Sequence, residues 1–435
     1  MGGRGSLRLY AKRLAPNDNS KNQIYLGGGF GALNIVPHGT IETDSSENAG
    51  SVRDRAKASV NFAWITPEGS VPAPNTQLIL YPKYPEVRMS GFLKGCRNGP
   101  SDVLASRDLG RVFFIGVLPN GQCFGYAAFA GHPLATELNQ ILECEMAGVF
   151  LDLSNYQKGL IDTKSTLLHT LCAMSHKGWI EAKKMGSSGE SSPYAARNGG
   201  GYTLEAELGI SPNSHAEPDF LGWEVKQYGV TDFIKLKAKS SVTLMTPEPT
   251  GGEYRDLGVE EFMRRYGYPD KGGIVDRVNF GGIYVNGAAR HADTKLALKL
   301  TGYNANTNKI EDFSGGLILV SDTGNIAAQW HFSHMIEHWN RKHAKAVYVP
   351  SAAGENPIRY RYSSAVSICE GTDFLLFVKA VSDGSVYLDP AVKMEEASSQ
   401  KPVVKRRNQF RIRQDAISKL YSKFDQINAC SSLRH

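Results

Sequence analysis

The residues best suited to chemistry lie in one short stretch of the chain, residues 218–227. Asp219 precedes a turn at Gly222, and Glu224 and Lys226 follow that turn two positions apart. Side chains alternate between the two faces of a strand, so Glu224 and Lys226 project from one face if this segment is extended. Asp219 can then fold back across the turn, which brings two carboxylates and one ammonium together.

Such a set suits hydrolysis of a phosphodiester. Carboxylate oxygens are the ligands that Mg²⁺ prefers, and bound Mg²⁺ keeps several waters while it contacts phosphate oxygen. The metal neutralises charge on the reacting phosphate and acidifies a water, which a nearby lysine can position. Glu205, on a short helix that we predict to begin at Thr203, could add a third carboxylate. The alternative is a surface strand with an ordinary ion pair, because this spacing also arises by chance.

The neighbourhood of these residues carries a longer pattern. It reads Asn-Gly-Gly-Gly-x-Thr-Leu-Glu at 198–205, Leu-Gly-Ile at 208–210, Pro-Asp-Phe at 218–220 and Trp-Glu-Val-Lys at 223–226. It resembles the MvaI/BcnI family of restriction endonucleases and is similar to the mismatch-repair nicking nuclease MutH. Segments 177–184, 240–246 and 409–412 extend the resemblance, which covers residues 160–425.

The resemblance implies a PD-(D/E)xK nuclease, with the α/β restriction-endonuclease-like fold and its mixed sheet. It implies a type II site-specific deoxyribonuclease that uses Mg²⁺ and leaves 5′-phosphate and 3′-hydroxyl ends. Matched by motif, Asp219 and Glu224 would be metal ligands together with Val225, and Lys226 would be the catalytic lysine. Glu205 matches the glutamate that the family carries on a helix.

A basic segment at residues 401–413 is the main candidate for reading DNA. Phe410 and Ile412 alternate with arginines there, so we predict one strand whose basic side chains share a face. Arginine is the preferred bidentate reader of guanine, and glutamine suits adenine. In the resembled family the segment before Phe-Arg-Ile enters the major groove, although this chain lacks the histidines of compact members. The alternative is a solvated basic face. The candidate residues are Lys405, Arg406, Arg407, Gln409 and Arg411.

The N-terminal part of the chain is predicted to be mostly β. Strands are expected at 77–81, 111–118 and 122–129, and the last two flank the hairpin signal Pro-Asn-Gly at 119–121. The pattern becomes helical after the stretch 135–165, where Ser165 or Thr166 could cap a helix. We therefore predict two domains: a mostly-β small barrel or pseudobarrel at residues 7–150 and an α/β domain, which holds the candidate catalytic residues, at residues 151–430.

Two segments of the first domain resemble the DNA-gripping arms of the EcoRII-type effector domain, which is a DNA-binding pseudobarrel. These arms would be residues 12–24 and 81–88. A Glu-x-Arg pair can read adjacent cytosine and guanine. The alternative is that both arms are ordinary loops of a stabilising domain. The candidate DNA-binding residues are Lys12, Arg13, Asn17, Lys83, Glu86 and Arg88.

Other helices are expected at 258–266 and 332–343, and Asp415 could cap a last helix carrying Ile417, Leu420, Tyr421 and Phe424. The helix at 332–343 has histidines at metal-compatible spacing. Its apolar stripe instead favours a packed amphipathic helix. The glycines at 27–31 lack the Lys-Ser/Thr of a phosphate-binding loop and indicate a turn.

Composition adds weak limits. The 435 residues suggest two domains, and a net charge of +6 permits a nucleic-acid partner without requiring one. Six cysteines without a CxxC pair are interpreted as reduced thiols of a cytoplasmic, prokaryotic protein. No apolar run approaches the ~18 residues of a membrane span.

The sequence therefore predicts a sequence-specific, Mg²⁺-dependent endonuclease that cuts double-stranded DNA. Its arrangement is similar to type IIE restriction enzymes, in which a second DNA copy acts as effector. The oligomeric state stays open, with a monomer favoured. The alternatives are a MutH-like nicking repair nuclease and a non-catalytic DNA-binding protein.

Overall fold

In a computed structural model, the chain divides into two compact units. Unit 1 comprises Met1–Asp162 and Lys309–Glu311, and unit 2 comprises Thr163–Asn308 and Asp312–His435. The structure describes residues 1, 6, 8–16, 23–44, 47–48, 51–52, 55–81, 84–141, 144–153, 156, 162–186, 188–196, 198–210 and 218–431.

The first 162 residues form mainly short strands, as predicted. A 3-10 helix at Gly31–Asn34 follows the glycine-rich turn. The elements are β1 (Arg8–Arg13), β2 (Gln23–Tyr25), β3 (Glu42–Thr43), β4 (Glu47–Asn48), β5 (Ser51–Val52), β6 (Ala56–Ser59), β7 (Phe62–Thr66), β8 (Gly69–Pro72), β9 (Gln77–Tyr81), β10 (Glu86–Ser90), α1 (Ser101–Ala105), β11 (Val112–Val117), β12 (Cys123–Ala128), α2 (Pro133–Gln140), β13 (Met146–Ala147) and β14 (Phe150–Asp152).

Among the described residues, two larger sheets and the two-stranded β4–β5 sheet form this part of the chain. One larger sheet has the order β13-β14-β1-β11-β12-β7-β8 and the other β2-β10-β9-β6-β3. The hairpin predicted around residues 119–121 is confirmed as the β11–β12 pair. Trp64 is buried at the centre of an aromatic core, with ring centroids 5.0 Å from Phe62 and 5.8 Å from Phe113. Closure of these sheets into a pseudobarrel stays a prediction.

The rest of the chain mixes helices and strands. A 3-10 helix at Gln414–Leu420 precedes the last strand. The elements are α3 (Thr163–His176), β15 (Ile180–Glu181), β16 (Lys183–Met185), β17 (Ser191–Pro193), α4 (Gly199–Glu207), β18 (Glu224–Gly229), β19 (Val242–Met245), α5 (Glu253–Asp256), α6 (Val259–Tyr266), β20 (Tyr268–Pro269), β21 (Arg277–Gly281), β22 (Ala297–Thr301), β23 (Tyr303–Asn304), β24 (Lys309–Ile310), β25 (Gly316–Val320), β26 (Ile326–His331), α7 (Phe332–His343), β27 (Lys345–Gly354), β28 (Arg359–Tyr362), β29 (Ala365–Thr372), α8 (Phe374–Ser382), β30 (Val386–Leu388), β31 (Ala391–Glu395), β32 (Val403–Lys405), β33 (Phe410–Ile412) and β34 (Tyr421–Asn428).

The central sheet of unit 2 is mixed, as predicted. Its order is β15-β28-β27-β29-β34, and β18 pairs in parallel with β27. One face of this sheet is apolar and lies in a buried cluster with α3, through residues such as Leu171, Val225 and Val347. Burying one such side chain contributes about 1.5–3 kcal/mol. That cluster fixes the sheet on which Glu224 and Lys226 stand.

Helix α4 begins earlier than predicted because the glycines of its first turn can pack closely against neighbouring side chains. It starts at Gly199 and not at Thr203. A Cβ on Gly199 would lie 3.1 Å from the Tyr360 ring, and one on Gly200 would lie 3.1 Å from the Gln227 side chain. The glycines therefore allow the first turn to lie against the sheet, and tertiary packing offsets their poor helix propensity.

Two other helix predictions need correction. The helix α3 starts at Thr163, ahead of the caps expected at Ser165 or Thr166. The last helix, predicted after Asp415, is wrong beyond Leu420, because residues 421–428 form β34 instead. These residues pair along their whole length with β29, and those backbone hydrogen bonds override the helical spacing of Ile417, Leu420 and Phe424.

The cysteine interpretation also needs correction for one pair. Cys172 in α3 and Cys430, just after β34, form a disulfide with Cα atoms 5.0 Å apart, because the fold brings α3 beside the end of the last strand. Cys96, Cys123, Cys144 and Cys369 are free thiols. Among the described residues, no helix has the length and apolar character needed to cross a membrane.

The amphipathic interpretation of the 332–343 segment is confirmed. It forms α7, and Met335, Ile336 and Trp339 are fully buried. His343 stacks on the Trp339 ring with centroids 4.1 Å apart. Among the described residues, these histidines do not form a group that could hold a metal ion.

Candidate active site

A tight turn places Asp219 beside the first residues of β18. Phe220 and Trp223 bridge each other across the turn, and the two residues between them, Leu221 and Gly222, have φ angles of 48° and 86°. Glycine adopts such an angle without a steric penalty. The Trp223 side chain is fully buried, which anchors the turn to unit 2. Asp219 thereby returns to the edge of β18, as the sequence predicts.

The three predicted catalytic side chains are brought together. The Val225 amide donates a hydrogen bond to Asp219 Oδ2 at 3.0 Å, and Lys226 Nζ donates one to Glu224 Oε1 at 2.5 Å. Glu224 is only 1% exposed. Its second carboxylate oxygen, Oε2, is buried and has no hydrogen-bond partner. A buried carboxylate oxygen without a donor is costly, so this atom is suited to a cation.

Burial and mutual repulsion raise the pKa values of the nearby acids. The pKa of Glu205 is raised to about 7: burial is the largest cause, the charges of Asp219 and Glu224 act in the same direction, and Lys226 and Lys342 oppose it. The pKa of Asp219 is raised to about 6, again mainly by burial and then by Glu224, with Lys226 opposing the shift. The carboxyl groups of Asp219, Glu224 and Glu205 therefore lie near one another, with too few positive charges nearby to neutralise all three.

Lys226 is the positive charge at the centre of this group. Burial by itself would lower its pKa, but Glu224, Asp219 and Glu205 outweigh that effect, and the pKa of Lys226 is raised. The side chain is therefore an ammonium throughout the physiological pH range. Its contact with Glu224 holds its position at the strand.

These residues fit a divalent cation. The donor set consists of hard carboxylate oxygens, which Mg²⁺ prefers, and one of them is buried without a partner. Strand geometry also supports the predicted participation of Val225. The N–H and C=O of one strand residue point to the same side. Since the Val225 N–H faces Asp219, its carbonyl faces the same place.

Lys342, near the C-terminal end of α7, is a functional candidate that the sequence did not indicate. Its charge lowers the pKa values of both Asp219 and Glu205. The reason is topological: α7 leads directly into β27, and Ala346 of β27 pairs with Glu224. Only that parallel pairing brings Lys342 to the site, and no local sequence signal reports it.

The predicted single basic strand at 401–413 is wrong. Two short strands lie there in different sheets: β32 pairs with β31, whereas β33 lies between β19 and β30. Asn408 and Gln409, between them, are buried and turn inward. Asn408 donates to Glu248 at 3.1 Å, and Thr243 donates to Gln409 at 3.1 Å. These contacts end the first strand and redirect the chain.

The candidate DNA-reading residues therefore differ in whether their side chains are already bound by other groups of the protein. Arg411 donates to Asp389 at 2.6 Å and to the Ser241 carbonyl at 2.5 Å, so a base contact would require these bonds to break. Lys405 bonds Glu395 at 3.3 Å, and Arg406 lies 4.0 Å from Glu248. Arg407 is exposed, and its guanidinium has no partner among the described residues.

In unit 1, the first predicted arm is largely structural where it is described. Arg13 donates to the carbonyls of Leu138 and Ile141, at 3.0 and 3.2 Å, so it caps the end of α2. Lys12 is 6% exposed on β1. Asn17 of this arm and Lys83 of the second arm lie outside the described residues.

The Glu-x-Arg pair of the second arm lies on β10. Arg88 Nε donates to Glu86 Oε1 at 2.9 Å, and the Arg88 guanidinium lies 5.6 Å from the Tyr81 ring centroid. Both side chains are partly exposed, at 35% for Arg88 and 20% for Glu86. The pair is thus held in a fixed orientation at the surface of unit 1.

Comparison with known proteins adds one family and several solved structures. The sequence model of the MvaI/BcnI restriction endonuclease family matches residues 168–421. The chain is similar to the MvaI restriction endonuclease bound to cognate DNA, with 17% identity, a TM-score of 0.47 and coverage of 62% of this chain and 99% of that one. For MvaI without DNA the identity is 16% and the TM-score 0.35, at the same coverage.

The chain is also similar to the B3 domain of the UbaLAI restriction endonuclease, solved with cognate DNA. The identity is 17% and the TM-score 0.22, with coverage of 33% of this chain and 85% of that one. Among curated protein sequences, none matches this chain.

Proposed function

The chain belongs to the MvaI/BcnI restriction endonuclease family, and from that membership we propose that it is a Mg²⁺-dependent type II enzyme that cuts double-stranded DNA at a specific sequence. The observation that carries the proposal is the group formed by the buried Glu224 and the partly buried Asp219 and Lys226. It lies inside the matched region and combines metal-binding oxygens with an ammonium. The products we propose are a 5′-phosphate and a 3′-hydroxyl.

In this mechanism Asp219, Glu224 and the Val225 carbonyl would hold the metal. Bound Mg²⁺ supplies positive charge at a phosphate oxygen and lowers the pKa of water. The Lys226 ammonium, fixed by Glu224, orients the attacking water and offsets charge on the phosphate. The water oxygen bonds to phosphorus and releases a proton to solvent, the bond from phosphorus to the 3′ oxygen breaks, and that oxygen takes up a proton from solvent. Glu205 and Lys342 set the charge balance around these groups.

Plasmid digestion tests the proposal. We expect the purified protein with Mg²⁺ to convert supercoiled plasmid into linear DNA whose ends map to one sequence and carry 5′-phosphates. Nicked circles as the final product would favour the MutH-like alternative. Sequence-specific binding without any strand cleavage would favour the non-catalytic alternative.

We propose that unit 1 binds a second DNA copy as effector, with Glu86 and Arg88 reading one cytosine–guanine step. The support is the exposed, preoriented Glu-x-Arg pair on β10. The same digestion with one-site and two-site plasmids checks this role. Faster cutting of the two-site plasmid, lost in Glu86→Ala and Arg88→Ala, supports the effector. Equal rates on both plasmids would contradict it.

We propose that Arg407 contacts a base directly, whereas Arg411 holds β33 in place. Arg407→Ala should weaken binding to the cognate duplex by about 1–3 kcal/mol, with little change on random DNA. Arg411→Ala should mainly lower the free energy of unfolding, by about 1–3 kcal/mol, because Asp389 loses its partner. Binding in Ca²⁺ and thermal unfolding separate the two effects, with Lys299→Ala, an exposed cation outside the basic segment, as the control. The reverse pattern would refute this assignment.

A further inference from the structure

Outside the candidate active site, unit 2 carries a cluster of positive side chains that the proposed mechanism does not use. The guanidinium groups of Arg359 and Arg361 each lie 5.0 Å from the centroid of the Trp179 ring. Arg361 also lies 5.1 Å from the Phe233 ring. Trp179 is 40% exposed. We call these four residues the arginine platform.

Neither arginine of the platform is neutralised by an acid in the described part of the chain. Glu181 stands opposite Arg359 in the β15–β28 pair, yet the two side chains form no ion pair. The Arg359 Nε atom is buried and has no hydrogen-bond partner. Stacking on aromatic rings offsets part of the repulsion between two neighbouring cations. An anionic ligand would offset the rest and satisfy the remaining N–H donors.

The register of the central sheet relates the platform to the candidate active site. Lys226 pairs with Tyr348 in β27, and Arg361 pairs with Ala352, four residues further along the same strand. Because side chains on one face recur at every second residue, Arg361 and Lys226 project from the same face. Arg359, two residues from Arg361 on β28, shares that face, while the opposite face belongs to the apolar cluster.

The same register fixes the distance between the two sites. A strand rises about 3.3 Å per residue and neighbouring strands lie about 4.8 Å apart. Since β28 is the second strand from β18, Arg361 lies roughly 16 Å and Arg359 roughly 22 Å from Lys226 at the Cα level. Duplex DNA advances about 3.4 Å per base pair. For a duplex whose axis runs along β27, the platform is level with phosphates about five base pairs from a phosphate at Lys226.

We propose that the arginine platform binds the phosphate backbone of duplex DNA that flanks the cleavage site, without reading its sequence. This inference rests on the proposed endonuclease function. The planar guanidinium forms paired hydrogen bonds with phosphate oxygens and stacks on aromatic rings at the same time. Trp179 stacks against both guanidinium groups and Phe233 adds a second ring at Arg361, so less side-chain freedom is lost when DNA binds. The platform thus adds affinity on one side of the cut.

The test uses the full chain with R359A/R361A and a matched pair, R265A/K299A, which also removes two exposed cations from unit 2. Binding is measured in Ca²⁺ over a range of salt concentrations. The slope of log affinity against log salt should fall by about 1.8 in R359A/R361A, because two phosphate contacts are lost. The matched pair should keep the wild-type slope. R359K/R361K, which keeps both charges, should keep it as well.

Duplex length supplies the second readout. If the duplex is truncated about three base pairs from the cut, it ends before the platform. The difference between wild type and R359A/R361A should then disappear for truncation on one side of the cut and persist for truncation on the other.

Equal salt slopes for wild type and R359A/R361A would overturn the platform while leaving the endonuclease intact. A slope lowered equally by the matched pair would overturn it too. A changed sedimentation coefficient with an unchanged slope would assign this surface to a second copy of the chain. If the wild-type protein neither binds nor cuts DNA, the proposed function fails and the platform fails with it.

Discussion

Alanine in place of Asp219, Glu224 or Lys226 is expected to lower the rate of DNA cleavage at least about a thousandfold, or about 4 kcal/mol of barrier. Asp219 and Glu224 supply the carboxylate oxygens proposed to hold the metal, and Lys226 is the ammonium held by Glu224. Single-turnover cleavage at saturating enzyme measures the effect. Double variants should lose little more than single ones, because the three groups act as a unit.

Two kinds of control variant distinguish a loss of catalysis from a general effect of removing charge or structure. Asp415→Ala removes an exposed carboxylate of unit 2 whose only ion pair among the described residues is with Arg413, and it should cut within about twofold of wild type. Isosteric changes, Asp219→Asn, Glu224→Gln and Lys226→Met, remove charge while keeping the volume of the buried side chains. Thermal unfolding of each variant separates lost chemistry from lost structure. Near wild-type cleavage by Asp219→Asn would show that the site is assigned wrongly.

Removal of divalent metal with EDTA is expected to abolish cleavage, and Ca²⁺ is expected to restore DNA binding without turnover. The metal requirement should depend on pH, because protons compete with the metal for the same oxygens. The pKa of Glu205 is raised to about 7 and that of Asp219 to about 6. Below about pH 6, the Mg²⁺ concentration for half-maximal rate should therefore rise about tenfold per pH unit for each proton displaced.

The stability that Asp219 and Glu205 contribute to the metal-free protein should decrease as pH rises. A carboxyl whose pKa is raised by folding binds protons in the folded state that the unfolded chain releases. The stabilisation from Asp219 and Glu205 is thus complete below their ordinary pKa values and is lost as pH rises through about 6 to 7. The contribution of these two groups to the melting temperature of the metal-free protein should therefore be smaller at pH 8 than at pH 5.5, and Ca²⁺ should offset that loss.

Glu205→Gln is the matched variant for this pH dependence. The amide cannot ionise, so the loss of stability between pH 5.5 and 8 should become smaller. If wild type and Glu205→Gln melt with the same pH dependence, the shifted carboxyl group is not Glu205. Cleavage that persists in EDTA would exclude the metal mechanism altogether.

The core of the candidate active site could be predicted from the sequence because its parts are local. The spacing of Glu224 and Lys226 places both on one face of any strand, and Gly222 permits the turn that returns Asp219. The family resemblance was carried by the same stretch and by residues 198–210. The hairpin β11–β12 and the helix α7 were likewise specified by turn residues and apolar periodicity over short distances.

Other features depended on contacts between distant segments, which local patterns do not report. The basic segment at 401–413 has the alternation of one strand, but Glu248, Thr243 and Asp389 bind its middle and divide it between two sheets. The last predicted helix became β34 because β29 offered a complete edge for pairing. In both cases tertiary hydrogen bonds outweighed the local preference.

The sequence by itself determined the chemistry of the site: which carboxylates and which lysine meet, since strand periodicity and one turn bring them together. Only the tertiary structure decided what surrounds them. Parallel pairing of β18 with β27 brings Lys342 to Asp219 and Glu205, across more than a hundred residues of chain. The β27–β28 register sets Arg359 and Arg361 on the catalytic face. Strand order and register arise from packing of the whole sheet, so no local pattern encodes them.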